Sequence, residues 1–332
     1  MPVQLPPRGL APSPVPLLLR DEVANAARAV RCGDLVRVTR GVYAPAAPWH
    51  ALAPWERYLA RVHAVARTHA GAALVLESAA AVRNLPVFGE PPDVHLLLPE
   101  PATSRRAPGV RMHTTQKTPA LERIDGVLVA TSAETVVDLA RHRHPAVALS
   151  VAAAALRADA NLSTAHVAAA SAARPTSRGA LRLPWVIARA SPVPESTLEN
   201  LSLAVIEWLG FPAPELQRWF RGQAVGEDDR VDMWWPQWGV AGEADGEVKY
   251  SGAFGDAREA LHDRNVRDAR LARRGVRATA HWALRDLVAF SQVRAILTAA
   301  GLPLVRREQT APLATLGRAL RGHPAAGILP LP

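Results

Sequence analysis

At 332 residues the chain is long enough for two or three domains, and a composition 49% hydrophobic and 21% charged excludes a disordered or fibrous protein. A single cysteine, Cys32, excludes an intramolecular disulfide and makes a reducing cytoplasm the expected compartment. The formal charge of +9 favours a polyanionic partner, although lysine is confined to Lys117 and Lys249 while arginine abounds, so part of that charge is compositional.

Residues 1–16 are rich in proline and are predicted to form a disordered tail. The apolar run at 15–19 is too short for a signal-peptide core or a membrane span, so no membrane partner is expected. Residues 17–31 are predicted helical, with Val23, Ala26, Ala27 and Val30 on one face and Gly33 as the stop. Residues 35–38 and 42–44 are two short strands joined by Thr39-Arg40-Gly41. A helix followed by a basic hairpin is the end of a winged helix-turn-helix. In that reading Arg28 and Arg31 on the helix, with Arg37 and Arg40 on the wing, meet DNA phosphates. A scaffold hairpin with a solvated basic face accounts for the same residues.

Residues 54–70 form an amphipathic helix carrying Trp55, Tyr58, Leu59, Val62 and Val65. His63 and His69 lack the i, i+4 spacing of a zinc pair. Thr131 or Ser132 would cap a helix beginning near Ala133. His142 and His144, beside Arg141 and Arg143, are expected at a solvated helix end. The Ala-rich run 147–173 is predicted to be a helical link broken near Asn161, and Arg174-Pro175-Thr176-Ser177-Arg178-Gly179 is the linker candidate.

The C-terminal part carries the strongest chemical signal. Ser196 caps a predicted helix ending at Gly210, whose acids include Glu195, Glu199 and Glu207. A strand at 215–220 and an acidic turn at 222–230 lead into Val231-Asp232-Met233-Trp234-Trp235, which alternates as a half-buried strand does. After a tight connection at Gln237-Trp238-Gly239, residues 240–245 return as a second strand, with Glu243 and Asp245 on one face. Three carboxylates, Asp232, Glu243 and Asp245, converging at one sheet end suit a hard cation such as Mg²⁺ or Mn²⁺, and Lys249 follows closely. The six tryptophans between Trp208 and Trp282 are expected in the core, with Trp234 as the one to watch as a base-stacking surface. A basic helix at 256–274 follows, then a strand at 276–280, a helix at 282–299 and a loose end from about residue 309. Residues 191–260 hold 5 basic and 13 acidic side chains, whereas 261–332 hold 12 and 4. That is the polarity of an ion-binding centre beside a phosphate-binding flank. On the basic helix, Asp263 with Arg267 and Arg264 with Asp268 are also i, i+4 pairs, so a structural role competes with DNA contact.

Two resemblances follow from these residues. The run Gly33-Asp34-Leu35-Val36-Arg37-Val38-Thr39-Arg40-Gly41-Val42-Tyr43-Ala44 resembles the wing of AbiEi-like antitoxins of type IV toxin–antitoxin systems. The likeness continues through Ser78-Ala79-Ala80-Ala81-Val82, Val94-His95-Leu96-Leu97-Leu98-Pro99, Gly109-Val110-Arg111-Met112-His113 and residues 125–140, collinear over about 17–145. The helices before the wing are compressed, so the element that would enter the major groove is shortened. Residues 191–290, ordered helix–strand–strand–strand–helix–strand, resemble the PD-(D/E)XK nuclease fold, nearest its very-short-patch-repair-like branch.

The second resemblance implies that Asp232 and Glu243 hold the metal and that Glu195 or Glu199 is the first-helix acid. It also makes Gln217 the strand glutamine, and sets Arg264, Arg267 and Arg270 on the helix after the site. Asp245 stands where many members have lysine, a role Lys249 would take over. The expected fold class is α/β, α+β overall. It comprises a winged-helix-like module at 17–50, a mixed middle domain at 51–145 and a helical linker at 146–190. A restriction-endonuclease-like mixed sheet flanked by helices follows at 191–300, with a tail at 301–332. The expected function is DNA binding with Mg²⁺-dependent phosphodiester cleavage, with DNA and a cognate toxin protein as partners. The competing expectation is a non-enzymatic antitoxin or regulator whose nuclease-like domain is a scaffold.

Overall fold

A computed structural model describes residues 9–99, 102–222, 228–245 and 257–321, with the backbone alone at 257–260 and 321. The protein is α+β, and its chain divides between Ala190 and Ser191 into two compact units.

The first unit opens with β1 (Leu18–Leu19), α1 (Ala26–Cys32), β2 (Leu35–Thr39), β3 (Val42–Pro45) and α2 (Ala46–Ala51). The helix predicted over 17–31 is thus only seven residues. Asn25 caps it by accepting from Arg28 N at 3.1 Å, and Gly33, at φ +81°, ends it. Upstream, Leu18 and Leu19 pair instead with Tyr43 and Val42, giving a three-stranded sheet in the order β1-β3-β2. Extended pairing wins there because it carries Val15 and Leu17 into a small core with Val42, Ala44, Ala60 and Ala64. Residues 9–16, expected as a tail, are tied down: Leu10 N donates to Asp125 at 2.9 Å and Ala11 N to Val82 O at 2.8 Å.

The larger core of this unit surrounds α3 (Pro54–Thr68), β4 (Ala73–Leu74), α4 (Leu76–Val82), β5 (Val94–Leu97), β6 (Arg105–Ala107), β7 (Val110–His113), β8 (Leu121–Ile124) and β9 (Val127–Ala130). The six strands run β6-β7-β5-β4-β9-β8, parallel at β5–β7 and β4–β9 and antiparallel elsewhere. Helices α5 (Ser132–His142), α6 (Pro145–Ala158), α7 (Thr164–Ala172) and α8 (Leu183–Arg189) complete it. Thr131 caps α5, as its position predicts. Residues 146–190 are no free link. Val151, Val167, Leu183 and Val186 are buried in this core, at about 1.5–3 kcal/mol for each such side chain.

The second unit begins with α9 (Thr197–Leu209), capped by Ser196 Oγ accepting from Glu199 N at 3.0 Å and ended by Gly210 at φ +90°. β10 (Glu215–Phe220), β11 (Asp229–Trp235), β12 (Val240–Ala244), α10 (Ala257–Arg273) and β13 (Ala278–Trp282) follow, in the order the sequence predicts. The sheet runs β10-β11-β12-β13, antiparallel except for β12–β13, which is parallel. Two indole rings cover β12 at Gly242: a Cβ there would lie 2.7 Å from Trp282 and 2.9 Å from Trp235. Trp282 Nε1 donates to Ser202 Oγ of α9 at 2.7 Å, so the strand next to the candidate site is held against that helix.

The helix predicted at 282–299 is broken at Ala289 into α11 (Leu284–Val288) and α12 (Phe290–Ala299). The C-terminal tail also has structure. Val305 N and Arg306 N donate to Gly210 O at 2.8 and 3.1 Å, and α13 (Thr310–Arg321) buries Leu313, Leu316 and Leu320.

Candidate active site

Asp232 lies in β11 between two flanking pairings, Leu216 with Met233 and Arg218 with Val231, so Gln217 of β10 stands opposite it. Asp232 Oδ2 accepts from Ala244 N at 3.0 Å, which ties it to β12. Gln217 Nε2 bridges two acids, at 2.8 Å from Glu199 Oε2 and 3.4 Å from Asp232 Oδ1. Glu199 Oε2 also accepts from Glu195 N at 3.0 Å. Gln217 holds φ +54°, a left-handed conformation costing about 1–3 kcal/mol outside glycine. Its Oε1 is buried without a hydrogen-bond partner among the described residues. Strain and an unmet acceptor thus coincide beside two carboxylates.

Glu243 of β12 is 5% exposed. Burial, followed by the charge of Asp232, pushes its carboxyl up to about 8, against the attraction of Arg267. Arg267 Nη2 lies 2.8 Å from Glu243 Oε1, yet that oxygen accepts no well-directed hydrogen bond. The ion pair therefore coexists with a raised carboxyl, because desolvation and the neighbouring acid outweigh one imperfectly aimed guanidinium. Glu199, also 5% exposed, is raised by burial and then by Asp232. Glu199, Asp232 and Glu243 thus share one electrostatic site, with Asp232 acting on both of the others.

Asp245 follows a different course. Glu243 pairs with His281 across β12–β13, and Asp245 N donates to Trp282 O at 2.8 Å, extending that pairing by one residue. The Asp245 carboxylate then meets His281: Oδ2 lies 3.1 Å from Nδ1, with Arg264 Nη1 at 3.6 Å. His281 Nε2 is 3.1 Å from Asp268 Oδ2 of α10. An imidazole facing carboxylate oxygens on both sides satisfies both only as a double donor. His281 had no sequence signal, because its partners are 36 and 13 residues away and only the parallel crossover brings them together.

Arg267 and Arg270 of α10, and Arg274 just past its end, are likewise spoken for. Arg270 forks onto Asp229, with Nη2 at 2.7 Å from Oδ1 and Nε at 3.1 Å from Oδ2. Arg274 Nη1 reaches the same acid at 2.8 Å, and Arg267 Nε at 3.6 Å. Asp229, expected in a solvated turn, is 4% exposed in β11. Burial opposes its ionisation, but the three guanidiniums overcome this and hold its pKa below the usual value. The row expected along DNA phosphates is thus turned onto buried acids, which need those charges. Arg267 reaches Glu243 and Asp229 rather than the expected Asp263. Trp234 packs edge-on against Phe220 at 5.0 Å and is buried, so it offers no stacking face. Trp219, by contrast, is 47% exposed, with Arg221 and Arg230 over its ring.

Lys249 lies outside the described residues. Among the described residues no three His, Cys, Asp or Glu side chains are placed to share a metal ion. Asp232 and Glu243 remain as a two-carboxylate set, which suits Mg²⁺, an ion that keeps several waters and takes one or two carboxylates plus phosphate oxygens. In the first unit Arg28, Arg31, Arg37 and Arg40 are all exposed, the first two on or beside the short α1 and the others on the hairpin. No helix among the described residues is long and apolar enough to cross a membrane.

No family model matches the chain, and no curated protein matches it. A solved structure, that of the RV2827C protein from Mycobacterium tuberculosis, is similar over 53% of this chain and 73% of its own, at 17% identity and a TM-score of 0.34.

Proposed function

We propose that residues 191–320 form a Mg²⁺-dependent phosphodiesterase of restriction-endonuclease type, acting in the cytoplasm on DNA held by the N-terminal module. The supporting observation is the Glu243 carboxyl, buried beside Asp232 and raised to about 8. Like charges sunk together at a sheet end are costly unless a cation shares them. Asp232 and Glu243 would hold the ion, with Mn²⁺ as a substitute. When bound it polarises a phosphate and lowers the pKa of a coordinated water. Gln217 fixes Asp232 and Glu199 relative to each other, and Glu199 can hold a proton next to them. Asp245, which meets His281, stands where the resemblance has a lysine, and Lys249 would add a positive charge.

DNA reaches the protein through Arg28, Arg31, Arg37 and Arg40, and the antitoxin resemblance adds a cognate toxin protein as second partner. Incubating plasmid and Mg²⁺ with the protein or with Asp232→Ala tests the reading. Cleavage by the former alone supports it, and equal cleavage by both, or none by either, overturns it. A second reading, a non-enzymatic regulator with a scaffold domain, is favoured by one contact, Arg267 Nη2 at 2.8 Å from Glu243 Oε1, which sets a guanidinium against the oxygen an ion would take.

A further inference from the structure

The first unit contains a cavity of about 510 Å³, built by the ends of β5 and β7, the start of α4, the end of α5 and the segment 174–178. That segment, the linker candidate in the sequence, is strapped down. Arg174 Nη2 lies 2.6 Å from both Glu134 and Asp138, and Arg141 Nη1 donates to Thr176 O at 2.7 Å. The chamber is therefore preformed rather than a gap between loose loops.

Its lining is cationic and rich in hydroxyls. Arg111, Arg143, Arg174 and Arg178 face Asp138 as the only acid lining it. Arg143 is held by Glu77 and Arg174 by Glu134 and Asp138, but Arg111 and Arg178 have no acidic partner among the described residues. Thr114, Thr115 and Thr176 add hydroxyls. On one wall His95 and His113 stack with ring centroids 5.2 Å apart, joined by a 2.9 Å contact between Nδ1 and Nε2. His142, exposed at the end of α5 as the sequence predicts, also lines the cavity.

All three histidines have lowered pKa values, by burial first. For His113, at about 4, the neighbours His95, Arg111, His142 and Arg143 add to that. For His95, Arg143 and Arg111 act in the same direction, against Glu77 and Asp93. Leu76, also on the wall, sits at φ +53°, a strained conformation for a bulky residue of the kind concentrated at ligand sites.

These features select a ligand class. Four guanidiniums repel metal cations and favour an anion. A volume of about 510 Å³ fits a small molecule and is too small for duplex DNA. Guanidiniums with hydroxyls are the donors that phosphate oxygens take. We propose that this cavity binds a small phosphorylated molecule through Arg111 and Arg178, with Thr176 as a hydroxyl donor and the His95–His113 pair as its wall. The site is independent of the carboxylates in the second unit.

Calorimetric titration of the full chain with inorganic pyrophosphate, and separately with adenosine monophosphate and adenosine, tests it. The expected result is saturable one-site binding of at least one phosphate compound, none of adenosine, and about tenfold weaker binding for each of Arg111→Gln and Arg178→Gln. Both arginines are exposed, so these variants keep their fold, and Arg20→Gln is the charge control that leaves binding unchanged. Three results overturn the proposal: no saturable binding, binding untouched by both cavity variants, or displacement of pyrophosphate by a short DNA duplex at equal phosphate concentration.

Discussion

Replacing Glu243 by glutamine should make the metal-free second unit more stable at alkaline pH, because the native carboxylate is a burden there. The free carboxyl titrates near 4.5 and the folded one at about 8, so folding takes up a proton between those values. The stability this group supplies is fully present below about 4.5 and is lost as pH rises to about 8. At about 1.4 kcal/mol per unit, the loss totals about 5 kcal/mol. That figure already contains the Arg267 attraction, which lowers the pKa. Glu243→Gln keeps the side-chain volume and removes the titration, and Arg267 keeps Asp229 at 3.6 Å.

Urea unfolding in chelator, at several pH values from about 4.5 to 9, followed by tryptophan fluorescence, reads this directly. Six of the nine tryptophans lie in residues 191–320, so the signal is dominated by the relevant unit. The two proteins should have equal stability near pH 4.5 and separate steadily above it, with the variant ahead by several kcal/mol at pH 9. Saturating Mg²⁺ should then flatten the native pH slope, since the ion binds the folded state with Glu243 ionised. Parallel pH profiles for the two proteins, or a variant less stable at every pH, would refute the reasoning.

Three further outcomes follow from the same structure. Asp232→Asn should stabilise the metal-free protein, by relieving both Glu199 and Glu243, and remove most of the Mg²⁺-induced rise in melting temperature; the same change at exposed Asp228 should do neither. Asp229→Asn should cost about 3–5 kcal/mol near neutral pH, because it leaves three guanidiniums without their shared acid. That loss should narrow as pH falls below 3.8, since the native Asp229 contributes stability above its free pKa and loses it as pH falls through the folded one. Replacing Arg37 and Arg40 by glutamine should weaken duplex DNA binding equally for unrelated sequences and reduce the slope of affinity against salt by about two phosphate contacts, as measured by fluorescence anisotropy.

Local order in the second unit was legible from the sequence because local rules write it. Ser196 and Gly210 bracket α9 through capping and a left-handed terminus, and alternation from Glu215 to Phe220 marks β10. The apolar neighbours of Asp232 mark β11, and the turn at Gln237-Trp238-Gly239 places Glu243 on the returning strand. The wing hairpin at β2 and β3 was legible for the same reason, with Gly41 at φ +80° closing its turn. Each of these signals spans a few residues and rests on backbone preference or side-chain period.

Tertiary structure alone decided which side chains meet. Leu18 and Leu19 became a strand because β3 offered pairing partners, overriding a weak helical pattern. Asp229 left the solvated turn because the end of α10 and the residue after it present Arg267, Arg270 and Arg274 to it across about forty residues of chain. Asp245 met His281 because β12 and β13 are parallel, and the register of a parallel crossover is set by the packing of the intervening helix, not by any residue near either partner. The histidine-lined cavity arose in the same way, from β5, β7, α5 and a strapped segment whose sequences carry no shared period. Period and capping are one-dimensional properties of a chain, whereas burial and charge pairing depend on contacts between distant segments, and those exist only once the core has formed.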